Sequence, residues 1–395
     1  MLRCFGPVLC LLLAAPAAAL ERGDFDSCVA DLGERARQAG VDGDLVGRVL
    51  PALAPVQRVL ELDRRQPEFV QTFGAYLAAR VTEARVARGR ALLERHGPFL
   101  EELLRRYGVP ARYLVAFWGL ETNYGSYLGD VPTLDALATL ACDRRRGAFF
   151  AAEFVDALQL VEREALPLEQ LRGSWAGAVG HTQFMPSSYL RYAVDGNGDG
   201  RVDLWRSERD ALASGANFLR RLGWEPGLRW GRAVRLPRTF PYELAGLGGR
   251  RSLRVWAALG VRRADGAPLA ALELPASLLL PAGHRGPAFL VYDNFRTVMR
   301  WNQSQSYALS VGLLADRLAG APPLRVAETP AQRLRKADVA AAQRALNGRG
   351  HEAGTADGLI GPRTRAALQA FQLQRGLPAD GYPDAATLEA LGVLR

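Results

Sequence analysis

From Asp24 to about Arg221 apolar residues recur at helical spacing with arginines and glutamates between them, and the stretch Phe69 to Leu103 shows this most plainly. Pro167, Gly173 and Gly177 interrupt the pattern ahead of a glycine-rich loop. From about Pro226 to Tyr292 glycine and proline become frequent, and three short runs read as strands: 233–236, 253–256 and 289–292. Helical spacing returns at about Asn294 to Arg317, and 321–330 reads as a linker. The pattern predicts an α+β chain, mainly α: a helical domain over residues 20–318 with a small β-containing insertion at about 226–292, a linker at 319–331, and a C-terminal module over 332–395.

That module carries a short internal repeat. Thr355–Gly358 leads into Thr364–Leu368 and Phe371-Gln372, and Pro378–Gly381 leads into Thr387–Leu391. Each half reads as a tight Asp-Gly turn followed by a helix starting near a threonine cap, which predicts a compact three-helix module. The residues Asp357-Gly358, Gly361, Thr364, Ala367, Phe371-Gln372, Gly376-Leu377, Asp380-Gly381 and Thr387 together resemble the peptidoglycan-binding type 1 domain, which implies wall glycan as the module's ligand; a helical module for another partner is the alternative.

The first 19 residues read as a secretory signal peptide: Arg3 supplies the positive end, 8–15 the apolar centre and 17–19 the small-residue cleavage site. The run is short for a membrane span, no later segment reads as one, and Cys10 follows a poor lipoprotein box. A soluble, exported, monomeric protein is expected. Export would leave Cys28 and Cys142, which either pair in an oxidising compartment or stay as buried thiols; the compartment favours the pair. The formal net charge is +9, and Lys336 is the only lysine. With a signal peptide and no zinc-finger or RNA-recognition signature, a nucleic-acid partner is not expected; a basic exported protein is instead drawn to an anionic envelope polymer, or simply carries an arginine-rich soluble surface.

Three stretches carry candidate chemistry. In 115–125, Glu121 ends an apolar run, with Pro110 as helix start and Gly125 as helix stop. Burial and the helix C-terminus both favour the neutral carboxyl, the form a general acid needs; a surface helix-end glutamate is the bland alternative. In 173–189, small residues allow close backbone approach, Ser174, Gln183 and Tyr189 offer hydrogen bonds, Trp175 and Phe184 offer faces of the kind that stack on sugars, and His181 is a potential titrating group, though a lone histidine is usually structural. In 195–203, Asp195, Asn197 and Asp199 fall at positions one, three and five of an EF-hand-like loop, glycine at six, with the Arg201 carbonyl at seven. Arg206 stands where the closing glutamate belongs, so Asp203, Glu208 or Asp210 must close the shell; a solvated turn is the alternative.

Residues from about Phe25 to Arg317 resemble the membrane-bound lytic murein transglycosylase B family. The matching motifs, in order, are Gly119–Gly125, Leu134–Leu140, Gly173-Ser174, Gly177-Ala178, Gly180, Gln183–Tyr189, Asn294-Phe295 and Trp301–Ser304. The resemblance implies a lysozyme-like helical catalytic domain, Glu121 as catalytic acid, glycan subsites around Ser174, Gln183, Asn294 and Asn302, and Ca2+ in the Asp195 loop with Asp210 closing it; no organic cofactor is implied. Phe218 stands where a family member has tyrosine, and the C-terminal module and weak lipobox depart from that member. The resemblance and the leader together imply a soluble periplasmic enzyme acting on peptidoglycan glycan strands, with other cell-wall enzymes as further candidate partners.

Most glycosidases use two carboxylates, and no second acid stands out near Glu121; Asp130, Asp135 and Asp143 each have a turn or helix role. The resemblance implies that Glu121 protonates the oxygen between N-acetylmuramic acid and N-acetylglucosamine, then takes the proton of the muramyl C6 hydroxyl as it closes on C1, giving a 1,6-anhydro end. A hydrolytic muramidase and a non-catalytic wall-binding protein are the alternatives.

Overall fold

Polar caps delimit the helices expected from the apolar spacing. Within the stretch expected from Phe69 to Leu103, residues 71–103 hold two whole helices and part of a third. Phe73–Arg80 starts behind Thr72, whose Oγ1 accepts Ala75 N at 3.3 Å, and Glu83–Arg95 starts behind Thr82, whose Oγ1 accepts Arg85 N at 3.2 Å. Gly97–Tyr107 stops at Gly108, φ 72°. Each threonine satisfies one amide that a helix start leaves without an intrahelical partner. The computed structural model describes residues 22–63, 71–143, 146–324, 326 and 335–394. The expected leader, 1–19, and residues 325 and 327–331 of the expected linker lie outside them. No helix among the described residues is long and apolar enough to cross a membrane.

The chain divides into two compact units. The first, ending at Asp63 and resuming over Val131–Gly177, contains the helices Arg22–Gln38, Gly43–Val49, Gln57–Asp63, Thr133–Cys142 and Gly147–Glu164. Its interior holds Phe25, Leu32, Val46, Leu137, Phe154 and Leu158. Cys28 and Cys142 are bonded, with S–S 2.08 Å and Cα atoms 5.8 Å apart, tying the first helix to the end of the fourth. A short antiparallel ladder pairs Val131 with Gly173.

The second unit, 64–130 and 178–395, holds the helix that ends near Glu121. Tyr113, Trp118, Trp230, Phe295, Leu309 and Leu314 belong to one apolar core there. The insertion forms a five-stranded antiparallel sheet in the order Arg251–Ser252, Pro275–Leu279, Ala288–Val291, Gly231–Arg235, Arg262–Arg263, with Ala233 opposite Phe289 and Leu278 opposite Leu290. The run 253–256, expected as a strand, is instead the start of the helix Leu253–Ala258. Ser252 caps it, accepting Val255 N at 3.4 Å, and Leu253 and Trp256, three apart, turn inward together while Val255 stays 41% exposed. Four residues cannot distinguish this spacing from alternation; the cap decides it. The helical stretch expected over 294–317 is two helices, Asp293–Trp301 and Gln305–Leu318.

The C-terminal module has three helices, Lys336–Asn347, Pro362–Gln374 and Ala385–Ala390. Its repeat is a repeat of hydrogen bonds. Gln343 Nε2 donates to Asp357 Oδ1, Leu359 O and Thr364 Oγ1 at 3.2, 3.0 and 3.1 Å, and Gln343 Oε1 accepts Gly358 N at 2.8 Å. Gln372 does the same with Asp380 Oδ1, Tyr382 O, Thr387 Oγ1 and Gly381 N at 3.1, 2.9, 3.0 and 2.8 Å. Gly358 and Gly381 adopt φ 77° and 70°, conformations that suit glycine. The threonines are therefore not caps: Gly361 and Asp384 hold those positions, and Thr364 and Thr387 sit buried in the first turns. Each buried glutamine has its polar atoms satisfied, as burial demands.

Candidate active site

Glu121 occupies the last turn of Ala111–Thr122. The helix ends in three consecutive left-handed residues, Asn123, Tyr124 and Gly125, at φ 49°, 60° and 75°. This sharp reversal turns the Tyr124 ring back beneath the helix, where Gly119 leaves room for it: a Cβ on Gly119 would stand 2.7 Å from the ring. Tyr124 is buried, its hydroxyl donating to Arg85 O at 2.8 Å. Thr122 Oγ1 donates to His181 O at 2.9 Å and accepts Gly125 N at 3.0 Å. A Cβ on Gly125 would meet the His181 ring at 2.1 Å. The 119–125 motif thus ends a buried helix sharply, just past Glu121. Gly125→Ala combines a left-handed Cβ with a ring clash, and is expected to destabilise the fold by about 2–5 kcal/mol in chemical denaturation.

The Glu121 side chain keeps partial exposure, while its carboxyl group sits deep among protein atoms. The Tyr307 hydroxyl donates to Oε1, and the Trp301 indole donates to the carboxyl as well. Burial raises the carboxyl pKa and the two donors lower it; burial prevails, and the group is pushed up to about 7. No second carboxylate contributes to that balance. Tyr307 is fully enclosed, and burial followed by the neighbouring Glu121 pushes its phenol well above the ordinary range, so it stays a donor.

Both donors are placed by the stretch 301–304. Asn302 Oδ1 accepts Ser304 N at 3.1 Å, turning the chain, and Ser304 Oγ accepts Tyr307 N at 3.2 Å, capping the next helix. Tyr307 therefore falls in that helix's first turn. Trp301 is fixed by a tilted contact with Phe117 at 4.4 Å and by edge and tilted contacts with Phe184 and Phe218 at 5.5 and 5.0 Å. Sequence reading did not single out Tyr307. Its only local signal is its place three residues after a capping serine; its distance of 186 positions from Glu121 is closed by the fold alone.

The other expected site residues divide into two kinds. Gln183, at φ 48°, is half-buried and donates to Leu128 O and Gly180 O, both at 3.0 Å. Asn302 is half-buried beside Trp301. Ser174 lies in the first unit, where its Oγ accepts Ala176 N at 3.3 Å. Tyr189 and Asn294 correct the expectation of ligand contact, because both are wholly buried. Tyr189 donates to Val202 O at 2.7 Å; Asn294 accepts Glu225 N at 2.7 Å and donates to Glu225 O and Leu228 O at 2.9 and 2.6 Å. They are braces, with no surface for a ligand to reach. Phe184 is likewise interior, packed on Phe218 at 5.1 Å rather than offered to a sugar. His181 is buried; its Nδ1 accepts the Trp118 indole N–H at 2.9 Å, and burial lowers its pKa, so the neutral ring is a structural link and not an acid.

The SLT transglycosylase domain model matches residues 24–316, and the model of a putative peptidoglycan-binding domain matches 335–391. This chain belongs to the SLT transglycosylase family. The membrane-bound lytic murein transglycosylase B of Escherichia coli is 34% identical over 255 residues, 62% of this chain and 68% of that protein. The structure of SltB3 from Pseudomonas aeruginosa with NAG-NAM-pentapeptide superposes with a TM-score of 0.87 at 43% identity, covering 93% of this chain and 99% of that one. The Escherichia coli lytic transglycosylase Slt35 in complex with calcium gives a TM-score of 0.64 at 30% identity, over 75% and 92% of the two chains.

In this transglycosylase the loop from Asp195 is organised by its carboxylates. Asp195 accepts the amides of Asn197, Gly198 and Gly200 at 3.2, 2.6 and 2.8 Å, and these amides hold it below the usual carboxylate range. Asp210, buried beneath, accepts Gly196 N and Asn197 N with Oδ1 and Asp203 N with Oδ2. Asn197 Nδ2 donates to Asp199 Oδ2 at 2.9 Å. The donors are all oxygen, the set a hard cation takes, and Asp210 reaches the loop from the expected closing position. Among the described residues, however, no three Asp, Glu, His or Cys side chains are gathered closely enough to hold a metal by themselves, so an ion needs the Asn197 amide oxygen and the Arg201 carbonyl as well.

Proposed function

We propose that this lytic transglycosylase cleaves the β-1,4 bond between N-acetylmuramic acid and N-acetylglucosamine in peptidoglycan and closes a 1,6-anhydromuramyl ring, with Glu121 as acid and then base. The observation that carries the reading is an enclosed carboxyl with its pKa raised to about 7 and, among the described residues, no carboxylate partner. Near neutral pH both forms are populated, which suits one group that must first give a proton and then take one. Glu121 donates its proton to the glycosidic oxygen as that bond breaks. The carboxylate left behind is held by Tyr307 and Trp301, whose hydrogen bonds are stronger to the anion. It then accepts the proton of the muramyl C6 hydroxyl while that oxygen bonds to C1. The nucleophile belongs to the substrate, so no second enzyme carboxylate is required, and the intramolecular closure gains from proximity. Mass spectrometry of products from purified sacculi tests the reading: anhydro ends support it, whereas reducing ends mean hydrolysis.

Gln183, Asn302 and Ser174 are the proposed glycan contacts. The division into leader, catalytic region, linker and wall-binding module, and export to the periplasm, complete the proposal. Tyr307→Phe removes a donor that favours the anion, so the Glu121 pKa should rise and the alkaline limb of the pH–rate profile, where the acid loses its proton, should move to higher pH by up to about one unit, with the rate on the low-pH side of that limb lowered several-fold. Asp195, Asn197, Asp199, the Arg201 carbonyl and Asp210 would hold calcium, which would stiffen the loop without entering the reaction. Adding calcium at 100 times its dissociation constant is expected to stabilise the protein by about 2.7 kcal/mol, and a chelator to reverse it; an unchanged thermal midpoint argues against the site.

A further inference from the structure

The segment 243–251 of the insertion, Leu279 and Leu280, and the helix Pro362–Gln374 of the C-terminal module enclose a cleft of about 440 Å³. Arg251, Gln305, Arg365, Gln369 and Asp380 line it, with exposed Glu243 also on its wall. Most of these polar groups are already engaged. Gln369 Nε2 lies 3.2 Å from Ala245 O. Asp380 Oδ1 accepts Gln372 Nε2 and Tyr382 N at 3.1 and 2.8 Å, and its Oδ2 lies 2.7 Å from both His284 N and His284 Nδ1.

Arg365 differs. Its side chain is half-buried in the cleft wall, and burial lowers the guanidinium pKa against the opposing pull of Tyr382 and Asp380. Asp380 attracts it, but both Asp380 oxygens are spent elsewhere, and the guanidinium makes no hydrogen bond among the described residues. A guanidinium carries five N–H donors and stays charged. In the wall of a cleft, without protein acceptors among the described residues, those donors present a fork that matches a carboxylate. Arg251 adds a second cation, its guanidinium 5.6 Å from the Trp256 ring centre.

We infer that this cleft binds a carboxylate of the peptidoglycan strand through Arg365, with Arg251 beside it; the inference rests on peptidoglycan being the substrate. The source is either a peptide side chain or the lactyl group of muramic acid. Gln305 lines the same cleft and begins the helix whose first turn carries Tyr307, so a strand held there is held against the element that serves Glu121. Such a contact, remote from the scissile bond, acts on substrate binding more than on the chemical step.

The test uses the full-length enzyme with soluble glycan strands, some bearing peptides and some stripped of them by an amidase, which leaves the lactyl carboxylates. For Arg365→Gln, KM for the strands that carry the bound carboxylate should rise about 10- to 100-fold, with the change falling on KM rather than kcat and with Arg365→Lys intermediate. If only the peptide-bearing strands depend on Arg365, the ligand is a peptide carboxylate; if only the stripped strands do, it is the lactyl carboxylate that the amidase frees. A KM that matches wild type on both strands overturns the inference. Should Arg365→Gln unfold the module in a melting scan, Arg251→Gln reads the same cleft, and an unchanged KM there counts equally against it. A wild-type enzyme that cleaves neither strand overturns the proposed function instead; isothermal titration with the N-acetylated stem pentapeptide and with free N-acetylmuramic acid then tests the cleft directly, absence of binding to both refuting it.

Discussion

In the Glu121→Gln variant, release of anhydromuramyl products is expected to fall by about 10²- to 10⁴-fold, the usual contribution of a positioned general acid. Glutamine keeps the size of the side chain and an acceptor for Tyr307 but has no proton to give at the glycosidic oxygen. Binding to sacculi should survive, because the substitution leaves the wall-binding module untouched. Product release at the wild-type rate would remove Glu121 from the mechanism. Stability supplies a second readout. The wild-type carboxyl has its pKa raised from 4.5 to about 7. The stability associated with its neutral form is therefore fully present below pH 4.5 and lost as pH rises through 7. Glutamine is not subject to that loss. The variant should gain on wild type by up to about 3 kcal/mol above pH 7, with the relative gain gone below pH 4.5. Thermal melts across that range check it; a gain independent of pH would mean that Glu121 is not buried as an acid.

Loss of the Cys28–Cys142 bridge is expected to have the largest effect on stability. The bond closes a chain segment with a sequence separation of 114, and the chain-entropy estimate for a loop near that length is about 4–5 kcal/mol. A domain's whole margin is commonly about 5–15 kcal/mol. Cys28→Ser, or reduction of the wild type, should therefore lower the denaturant midpoint sharply. The first unit, which contains both cysteines, should be the part that opens, visible as faster amide exchange in Arg22–Gln38 and Thr133–Cys142. A midpoint unchanged by reductant would show that helix packing alone holds these elements.

Much of the architecture is written locally. Helix starts and stops follow from Thr72, Thr82, Gly108 and Ser304, because a cap acts within three or four residues of itself. The repeat in the C-terminal module was legible for the same reason: Asp-Gly turns at 357–358 and 380–381 stand a fixed distance before Thr364 and Thr387. What failed locally was the run 253–256, too short for its periodicity to separate helix from strand, and the threonine caps, which a sequence cannot distinguish from buried first-turn threonines.

The site divides along the same line. Sequence alone picked out Glu121, since a carboxylate at the end of an apolar helix is an anomaly visible without coordinates. It also marked Gln183, Asn302 and the Asp195 loop by residue type and spacing. It gave Tyr189 and Asn294 as ligand contacts, and only burial turned them into braces, because a polar side chain reads alike whether it faces solvent or a backbone carbonyl. The elevated pKa of Glu121, its bonds to Tyr307 and Trp301, and the place of Arg365 in a cleft wall belong to the tertiary structure. Desolvation and hydrogen bonding depend on atoms brought together from residues up to 186 positions apart, and no local pattern encodes which of them meet.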